Sequence, residues 1–499
     1  FTSTRWPSFA NYGGARTSNL YVVDADGSRL HRITAERNGA DRPMVDPLTG
    51  RVVFSRWWRN FRLASNDASA SEPFDGGYFQ GYTRHLGLVS ALDASAIAGE
   101  VPGGASNLTR NAWQLAVVNP DGTELQQFAG QSGVFFDGED GNHAYGGSFA
   151  ADGSLFTSFF PMKNGTEASG FGGIRRYRRG AHGTDAVLGI ATNVGQTLVS
   201  RDPPSYGVYV GSYAADPQVL GDGRVLVSFA PDLPQKPSYG QDYDLYVMNA
   251  DGSGLTPVFG IDGATELRAR VLLPRPLPPV VPDQVTQVAS LLPPRQNGAD
   301  HTEDPYDKDG VFDFDALNVF FNAPVDVPIV SAVGVGQAKV IRFFVDQQRF
   351  QPGSFERADW PNLLRELPVN PDGSVSAPAP ANVPLFEQLR TDTAGNGGGH
   401  VPLTGRGTSM GGAAHVAGMN YGQPDTVARC VGCHAGHTMI PVPPTREAAK
   451  WTNLAPGATL HWSSSDPQLT APDGLVDRRA LTGPVTSYWR SDPSQPAVG

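Results

Sequence analysis

The chain has 499 residues, with 38 basic and 49 acidic side chains, so its formal net charge is −11. Gly (59) and Pro (42) are abundant, whereas charged residues make up only 17% and aromatic residues reach 10%, which excludes a disordered chain and long helical bundles. The negative charge argues against broad nucleic-acid binding. We therefore predict a turn-rich, mainly β protein of two to four domains.

Two sequence patterns recur in the first half of the chain. An apolar strand that runs into an Asp-Gly turn occurs at Leu20–Gly27, Leu115–Gly122 and Leu245–Gly252. A turn followed by an alternating strand occurs at residues 46–55, 151–158 and 221–228. Paired hairpins of this kind are typical of β-propeller blades, and the sequences of their strands resemble those of TolB/WD40-like propellers. An irregular β-sandwich is the alternative.

The spacing between these repeats is uneven, which predicts insertions between blades at residues 59–111 and 163–204. We interpret residues 1–273 as the β-propeller and residues 274–290 as a Pro-rich linker.

Residues 291–450 are predicted to form a small β-sandwich-like, loop-rich domain. Alternation predicts strands at 338–345 and 382–389, Asn370–Ser374 predicts a turn, and residues 391–424 show no sustained period and are predicted to be loop. The composition changes again at 451–499.

No apolar run approaches the roughly 18 residues that a membrane-spanning helix requires, so we expect no such segment. The longest run is Val327–Val335. Nothing at Phe1 resembles a signal peptide, and we interpret the chain as a processed or trimmed product.

The strongest motif contains both cysteines of the chain, in Cys430-Val-Gly-Cys433-His434. This CxxCH pattern is the attachment signature of a c-type haem. Its two thiols are spaced to bond the two vinyl groups of one porphyrin, and the adjacent imidazole then lies beneath the iron. The sequence thus predicts one covalent haem c, with His434 as the proximal iron ligand.

Two other interpretations of the motif stay open. A thioredoxin-like dithiol requires a βαβ context, which the sequence does not show. A zinc site requires further ligands, for which His437 or His415 are the nearest candidates.

The ligand on the opposite face of the iron determines the function, because a strong second ligand favours electron transfer and an open face favours small-molecule chemistry. The candidates near the motif are Met410, His415, Met419, His437 and Met439.

A weaker feature is the acidic segment that contains Asp304, Asp307, Asp309 and Asp313. Clustered carboxylates beside a glycine are a candidate calcium site, although the segment lacks the full EF-hand pattern. A solvated acidic turn is the alternative.

Residues 330–436 resemble the middle domain of the hydrazine synthase alpha subunit family. The resemblance lies in Leu367–Ser374, Ala379–Phe386 and Gln423–His434, and the propeller-like repeats upstream fit the same architecture. The family resemblance implies a haem attached at Cys430 and Cys433.

The sequence departs from that family in three respects. It has one CxxCH where the family subunit has two haems, it lacks the family's tyrosine after the motif, and it lacks the cysteine of the family's zinc site. The departures favour iron, not zinc, as the partner of His434. Residues 451–499 resemble the start of a discoidin-like module, a likeness that implies no sugar binding.

Three functional hypotheses follow. The leading one is a periplasmic or extracellular monohaem cytochrome c on a propeller scaffold, passing electrons among redox proteins or subunits of a larger complex, with peripheral association to a membrane complex as a further option. The second is a haem enzyme that acts on a small nitrogenous molecule at an open iron. The third is an accessory docking subunit with a structural haem.

Overall fold

The computed structural model describes residues 1–6, 8–10, 15–60, 110–129, 143–160, 173–180, 183–184, 196–200, 210–234, 242–287, 307–320, 340–346, 361–390, 402–403, 408–409 and 413–430. These residues form strands, turns and extended segments without an α-helix, which confirms the mainly β fold predicted from the sequence. Within the described ranges there is accordingly no helix of the length and apolarity that a membrane span requires.

The first part of the chain forms short strands whose bounds are β1 (Thr2–Ser3), β2 (Asn19–Val22), β3 (His31–Arg32), β4 (Ala40–Val45), β5 (Val52–Asn60), β6 (Arg110–Val118), β7 (Gln126–Ala129), β8 (His143–Phe149), β9 (Leu155–Phe160), β10 (Gly173–Tyr177), β11 (Arg179–Gly180), β12 (Gly183–Thr184), β13 (Gln196–Ser200), β14 (Val210–Val219), β15 (Val225–Pro234), β16 (Asp244–Met248) and β17 (Thr256–Phe259). They pair as β1-β2-β3, β4-β5-β6-β7, β8-β9-β10-β13 and β14-β15-β16-β17, with β11-β12 apart. We call these four larger sheets the sheet stack.

Each neighbouring pair of sheets in the stack shares a hydrophobic core. Strand side chains alternate between faces, so Phe54 of β5 packs towards the first sheet while Val53 packs towards the third. Phe156 of β9 continues the pattern, packing with residues of the fourth sheet. Each such buried side chain stabilises the fold by about 1.5–3 kcal/mol. Successive antiparallel sheets packed in this way are compatible with the predicted propeller blades.

The predicted position of the insertions was wrong. Strands β5 and β6 pair directly, with Asn60 opposite Arg110, so the long intervening segment connects two neighbouring strands of one sheet. Likewise β9, β10 and β13 belong to one sheet, so the segment at 163–204 also connects strands of a single sheet. The entropic cost of closing a loop rises only slowly with its length, so a long insertion is tolerated within a sheet as well as between sheets. The spacing of the repeats alone therefore cannot locate the inserted residues.

Three turns that begin with Asn and contain Asp-Gly share one hydrogen-bond pattern. In the turn from Asn119 to Thr123 the Asn119 side chain donates to Thr123 Oγ1 at 3.0 Å, and the Asp121 carboxylate accepts from the Thr123 amide at 3.0 Å. The same bonds recur from Asn249 to Ser253 and from Asn370 to Ser374. The glycine of each turn has a positive φ, which an L side chain rarely adopts.

The second part of the chain contains β18 (Val311–Ala316), β19 (Val340–Asp346), β20 (Pro361–Pro368), β21 (Val375–Pro380), β22 (Leu385–Arg390), β23 (Pro402–Leu403), β24 (Thr408–Ser409), β25 (Ala413–Asn420) and β26 (Val427–Cys430). They pair as β21-β18-β26, as β20-β19-β22-β25 and as the small β23-β24. We call the two larger sheets the C-terminal sheets. Their facing residues, such as Phe314 and Phe343, form one apolar core, as in a β-sandwich.

Strand β25 lies where the sequence predicted a loop. Its residues are mostly small and show no alternation, but the strand pairs antiparallel with β22, placing Met419 opposite Phe386 and His415 opposite Leu389. Pairing with an existing sheet edge thus overrides weak local preference.

After β17, residues 260–287 are mostly extended and run back along the stack. The Gln284 amide donates to Asp121 at 2.6 Å, and the Gln287 side chain donates to the Asp121 carbonyl at 2.6 Å. At Gly50 a Cβ atom would lie 1.9 Å from the Pro279 carbonyl, so only glycine permits this approach.

Candidate functional site

The strand that carries the first cysteine of the CxxCH motif is β26, and it pairs parallel with β18. Cys430 lies opposite Ala316 in the register. The Cys430 carbonyl accepts a hydrogen bond from the Leu317 amide at 2.9 Å, and the Asp313 amide donates to Thr426 at 2.8 Å. Both ends of the strand are therefore fixed by backbone hydrogen bonds to β18.

An ion pair holds the same two strands together next to the cysteine. Arg429 Nε lies 2.6 Å from Asp315 Oδ2, and the two residues are directly opposite in the parallel register. Their side chains are only 16% and 4% exposed, respectively. A shielded pair of this kind is costly to break, because the remaining charge is left without its partner.

The opposite face of β26 packs against the apolar core of the C-terminal sheets. Ala428 and Cys430 alternate with Arg429 and contact the core that includes Phe314 and Phe343. Cys430 is half-buried. The strand β26 thus has an apolar face towards the core and a charged face at Arg429. An apolar neighbourhood of this kind fits a thiol that anchors a large apolar ring.

A buried polar network connects the segment before β26 to the first part of the chain. The Gln423 side chain donates to the Tyr421 hydroxyl at 2.8 Å, and that hydroxyl donates to Asn382 Oδ1 at 3.1 Å. Asn382 in turn donates to Asp309 at 3.0 Å and accepts at its carbonyl from Arg32 of the sheet stack at 3.1 Å. The network spans the boundary between stack and C-terminal sheets.

Burial alters the titration of two members of this network. It raises the pKa of the Tyr421 hydroxyl and lowers the pKa of the Arg32 guanidinium. The Arg32 guanidinium also stacks over the Trp6 ring at 4.5 Å, which compensates part of the lost hydration.

The structure places only part of the predicted haem site. Cys430 ends β26, whereas Cys433, His434 and the candidate distal ligands His437, Met439 and Met410 lie outside the described residues. His415 and Met419 both belong to β25, the edge strand of the other C-terminal sheet. Their grouping around an iron stays a prediction.

The described aspartates of the predicted calcium site lie in different environments. Asp307 is exposed at a turn, Asp309 is buried and accepts from Asn382, and Asp313 is exposed on β18. Asp304 lies outside the described residues.

Among the described residues a different carboxylate group converges, formed by Asp242, Asp244 and Glu266, whose oxygens lie within 4.8 Å of one another. Sequence reasoning missed it because Glu266 is distant from the other two along the chain.

Comparisons with known proteins gave a distant likeness among solved structures. No protein-family model matches the chain, and no curated protein matches it. A solved structure of Kuenenia stuttgartiensis hydrazine synthase is similar, with 16% identity and a TM-score of 0.48 over 86% of this chain. The match covers 51% of that structure's chain, so the present chain spans about half its length.

Proposed function

We propose that the protein is an extracytoplasmic monohaem c-type cytochrome that transfers single electrons. The observation that carries the proposal is the CxxCH motif that begins at Cys430, at the end of a strand fixed to the C-terminal sheets. Cys430 and Cys433 would tether the haem, and His434 would ligate its iron. When bound, haem supplies a one-electron redox centre.

The surroundings of Cys430 support this proposal. The residue packs beside a core rich in aromatic side chains, which provides the apolar environment that a porphyrin needs. The parallel pairing with β18 and the pair between Arg429 and Asp315 hold the start of the motif in place. A rigid attachment keeps the reorganisation small when the iron changes its oxidation state.

Location and partners follow from the same proposal. In bacteria c-type haem is attached outside the cytoplasm, so a periplasmic or extracellular location is proposed. A single haem must exchange electrons with other centres, and we therefore expect other redox proteins or subunits of a larger complex as partners.

The test is to express the chain with a bacterial cytochrome c maturation system and to measure its pyridine haemochrome spectrum. We expect one covalent haem per chain and a reversible one-electron redox titration. Peptide mass mapping is expected to place the thioether bonds on Cys430 and Cys433.

Cys430→Ser and Cys433→Ser each should leave a single thioether bond, and His434→Ala should retain attachment but change the spin state of the iron. A purified chain with free thiols, or with stoichiometric zinc and no haem, would overturn the proposal.

A further inference from the structure

The extended chain after the fourth sheet carries large apolar side chains that are almost fully exposed. We call residues 271–284 of this chain the Pro-rich strap. Leu272, Leu277 and Val280 of the strap are 98%, 93% and 89% exposed, respectively. Single exposed apolar residues need no explanation, but exposed apolar side chains that are grouped on one segment indicate an interaction surface.

Proline determines the backbone conformation of the strap. The prolines of the strap are Pro274, Pro276, Pro278, Pro279 and Pro282. The ring holds φ of each proline at about −65°, and a residue that precedes a proline is restricted to extended conformations. Every residue from 273 to 282 except Val280 is a proline or precedes one, and the structure shows neither helix nor strand there. The strap is therefore held in a polyproline II-like conformation, in which side chains repeat every three residues.

The burial of the strap follows this three-residue repeat. Three exposed apolar residues, which we call the outer stripe, are spaced three positions apart: Pro274, Leu277 and Val280. Pro278 and Val281, one position further along, are partly buried. A Cβ atom at Gly50 would lie 3.3 Å from Val281 Cγ2, so this second face rests on the turn before β5. The strap thus has an inner face on the stack and an apolar outer face.

Hydrogen bonds at both ends hold the strap against the stack. At its start the Val271 amide donates to Gln218 Oε1 of β14 at 3.2 Å. At its end the Gln284 amide donates to the Asp121 carboxylate, in the turn between β6 and β7, at 2.6 Å. A segment that is already held extended loses little conformational entropy when it binds a partner, which favours binding.

The strap carries positive charge on an acidic protein. Arg275 lies within the strap and is exposed, and Arg268 and Arg270, just before it, are exposed as well. The whole chain, in contrast, has a net charge of −11. Net charge of the same sign opposes the association of two copies of this chain, whereas carboxylates around a partner's binding groove would attract the strap.

The prolines also disfavour two other kinds of contact. An added β-strand must donate backbone amides to its neighbour, and proline has none. Insertion into lipid would leave the carbonyls of an extended backbone without donors, and an acidic chain is repelled by anionic headgroups. A groove lined by aromatic side chains, in contrast, buries apolar residues of the strap while Trp and Tyr donate hydrogen bonds to its carbonyls.

We propose that the Pro-rich strap is a docking segment for another protein, whose groove is lined by aromatic side chains and bordered by carboxylates. Leu277 and Val280 of the outer stripe occupy apolar pockets of this groove, and Arg275 pairs with its carboxylates. The strap contains no residue of the haem attachment segment, so the proposal does not depend on the haem.

The test uses the full chain and, as the probe, an isolated SH3 domain, which binds proline-rich segments in an aromatic-lined groove and is chosen for carboxylates beside that groove. We expect saturable binding in isothermal titration that weakens as sodium chloride is raised. Leu277→Ser is expected to weaken binding about tenfold or more, because it removes an apolar side chain from a pocket. Arg275→Gln should weaken binding and reduce its dependence on salt.

Leu272→Ser is the matched control, because Leu272 is a similarly exposed leucine of the same strap that lies outside the outer stripe and before the first proline. It should bind the SH3 domain like the parent chain. All three substitutions are at exposed positions and should leave the midpoint of thermal unfolding unchanged.

Absence of binding, or equal weakening by Leu272→Ser and Leu277→Ser, would overturn the proposal. Two further measurements distinguish other occupants of the outer stripe. Sedimentation of the parent chain as a dimer that Leu277→Ser abolishes would assign the stripe to a second copy. Binding to vesicles of phosphatidylcholine and phosphatidylglycerol that Leu277→Ser abolishes would assign it to a lipid surface. Either result would overturn docking to another protein.

Discussion

The sheet stack and the C-terminal sheets both consist mainly of antiparallel strand pairs with apolar cores, but they are assembled differently. In the stack, sheets follow one another in chain order and each core joins sequence neighbours. In the C-terminal sheets, β18 is flanked by β21 and by the distant β26. The strand that carries Cys430 therefore depends on contacts that the local sequence cannot supply.

The substitution with the largest expected effect disrupts this long-range pairing between β18 and β26. Asp315→Asn removes the partner of Arg429 in a shielded position, and we expect the free energy of unfolding of the C-terminal sheets to fall by about 3 kcal/mol. The matched change in the stack is Asp222→Asn, since Asp222 and Arg224 are 52% and 54% exposed. That change should have little effect on the free energy of unfolding, because water and salt screen an exposed pair. Urea unfolding of both variants measures the difference, and similar losses would contradict the comparison.

A smaller effect tests the contact between the two regions. Gly122 and Gly27 occupy equivalent turns with φ angles of 88° and 87°. A Cβ at Gly122 would lie 2.4 Å from Gln423 Nε2, whereas nothing lies within 4 Å of one at Gly27. Gly27→Ala should therefore cost about 1 kcal/mol from backbone strain alone.

Gly122→Ala should cost about 1–2 kcal/mol more, because it also displaces the network at Tyr421. Thermal or urea unfolding of both variants is the measurement. An equal loss would show that the contact contributes nothing to stability.

The smallest effect concerns Tyr145, in the interior of the stack. Burial, together with the hydrogen bond to the Asp41 carboxylate, raises the pKa of Tyr145 to about 12. An unfolded tyrosine ionises near pH 10, so this group's contribution to stability is complete below about pH 10 and is lost as the pH rises through about 12.

Ultraviolet titration of the parent chain against Tyr145→Phe isolates this phenolate. Asp41→Asn should shift its ionisation to lower pH. A Tyr145 that titrates near pH 10 in the folded chain would contradict the expected environment.

The sequence predicted the local part of this structure well. Asp-Gly turns require a positive φ and short apolar runs favour strands, so β2, β6 and β16 were found with their turns. The predicted strands near 340 and 385 correspond to β19 and β22 for the same reason.

Contacts between residues distant in the sequence were not predicted. The partner of β26 lies 114 residues upstream, measured from Asp315 to Arg429, and the local pattern of apolar residues does not indicate which distant strand will pair. Strand β25 forms because β22 offers an edge, not because its own residues favour a strand. Likewise Arg42 of β4 and Asp216 of β14 form an ion pair, although they belong to different sheets.

The position of β26 has a consequence for the order of biogenesis. During synthesis β18 and β21 leave the ribosome first, and one edge of β18 stays open until residue 430 has been made. The last strand to close this sheet is thus also the one that ends in a thiol. Any enzyme that modifies Cys430 acts on the same few residues that complete the sheet, so maturation and folding compete for a single short stretch of polypeptide.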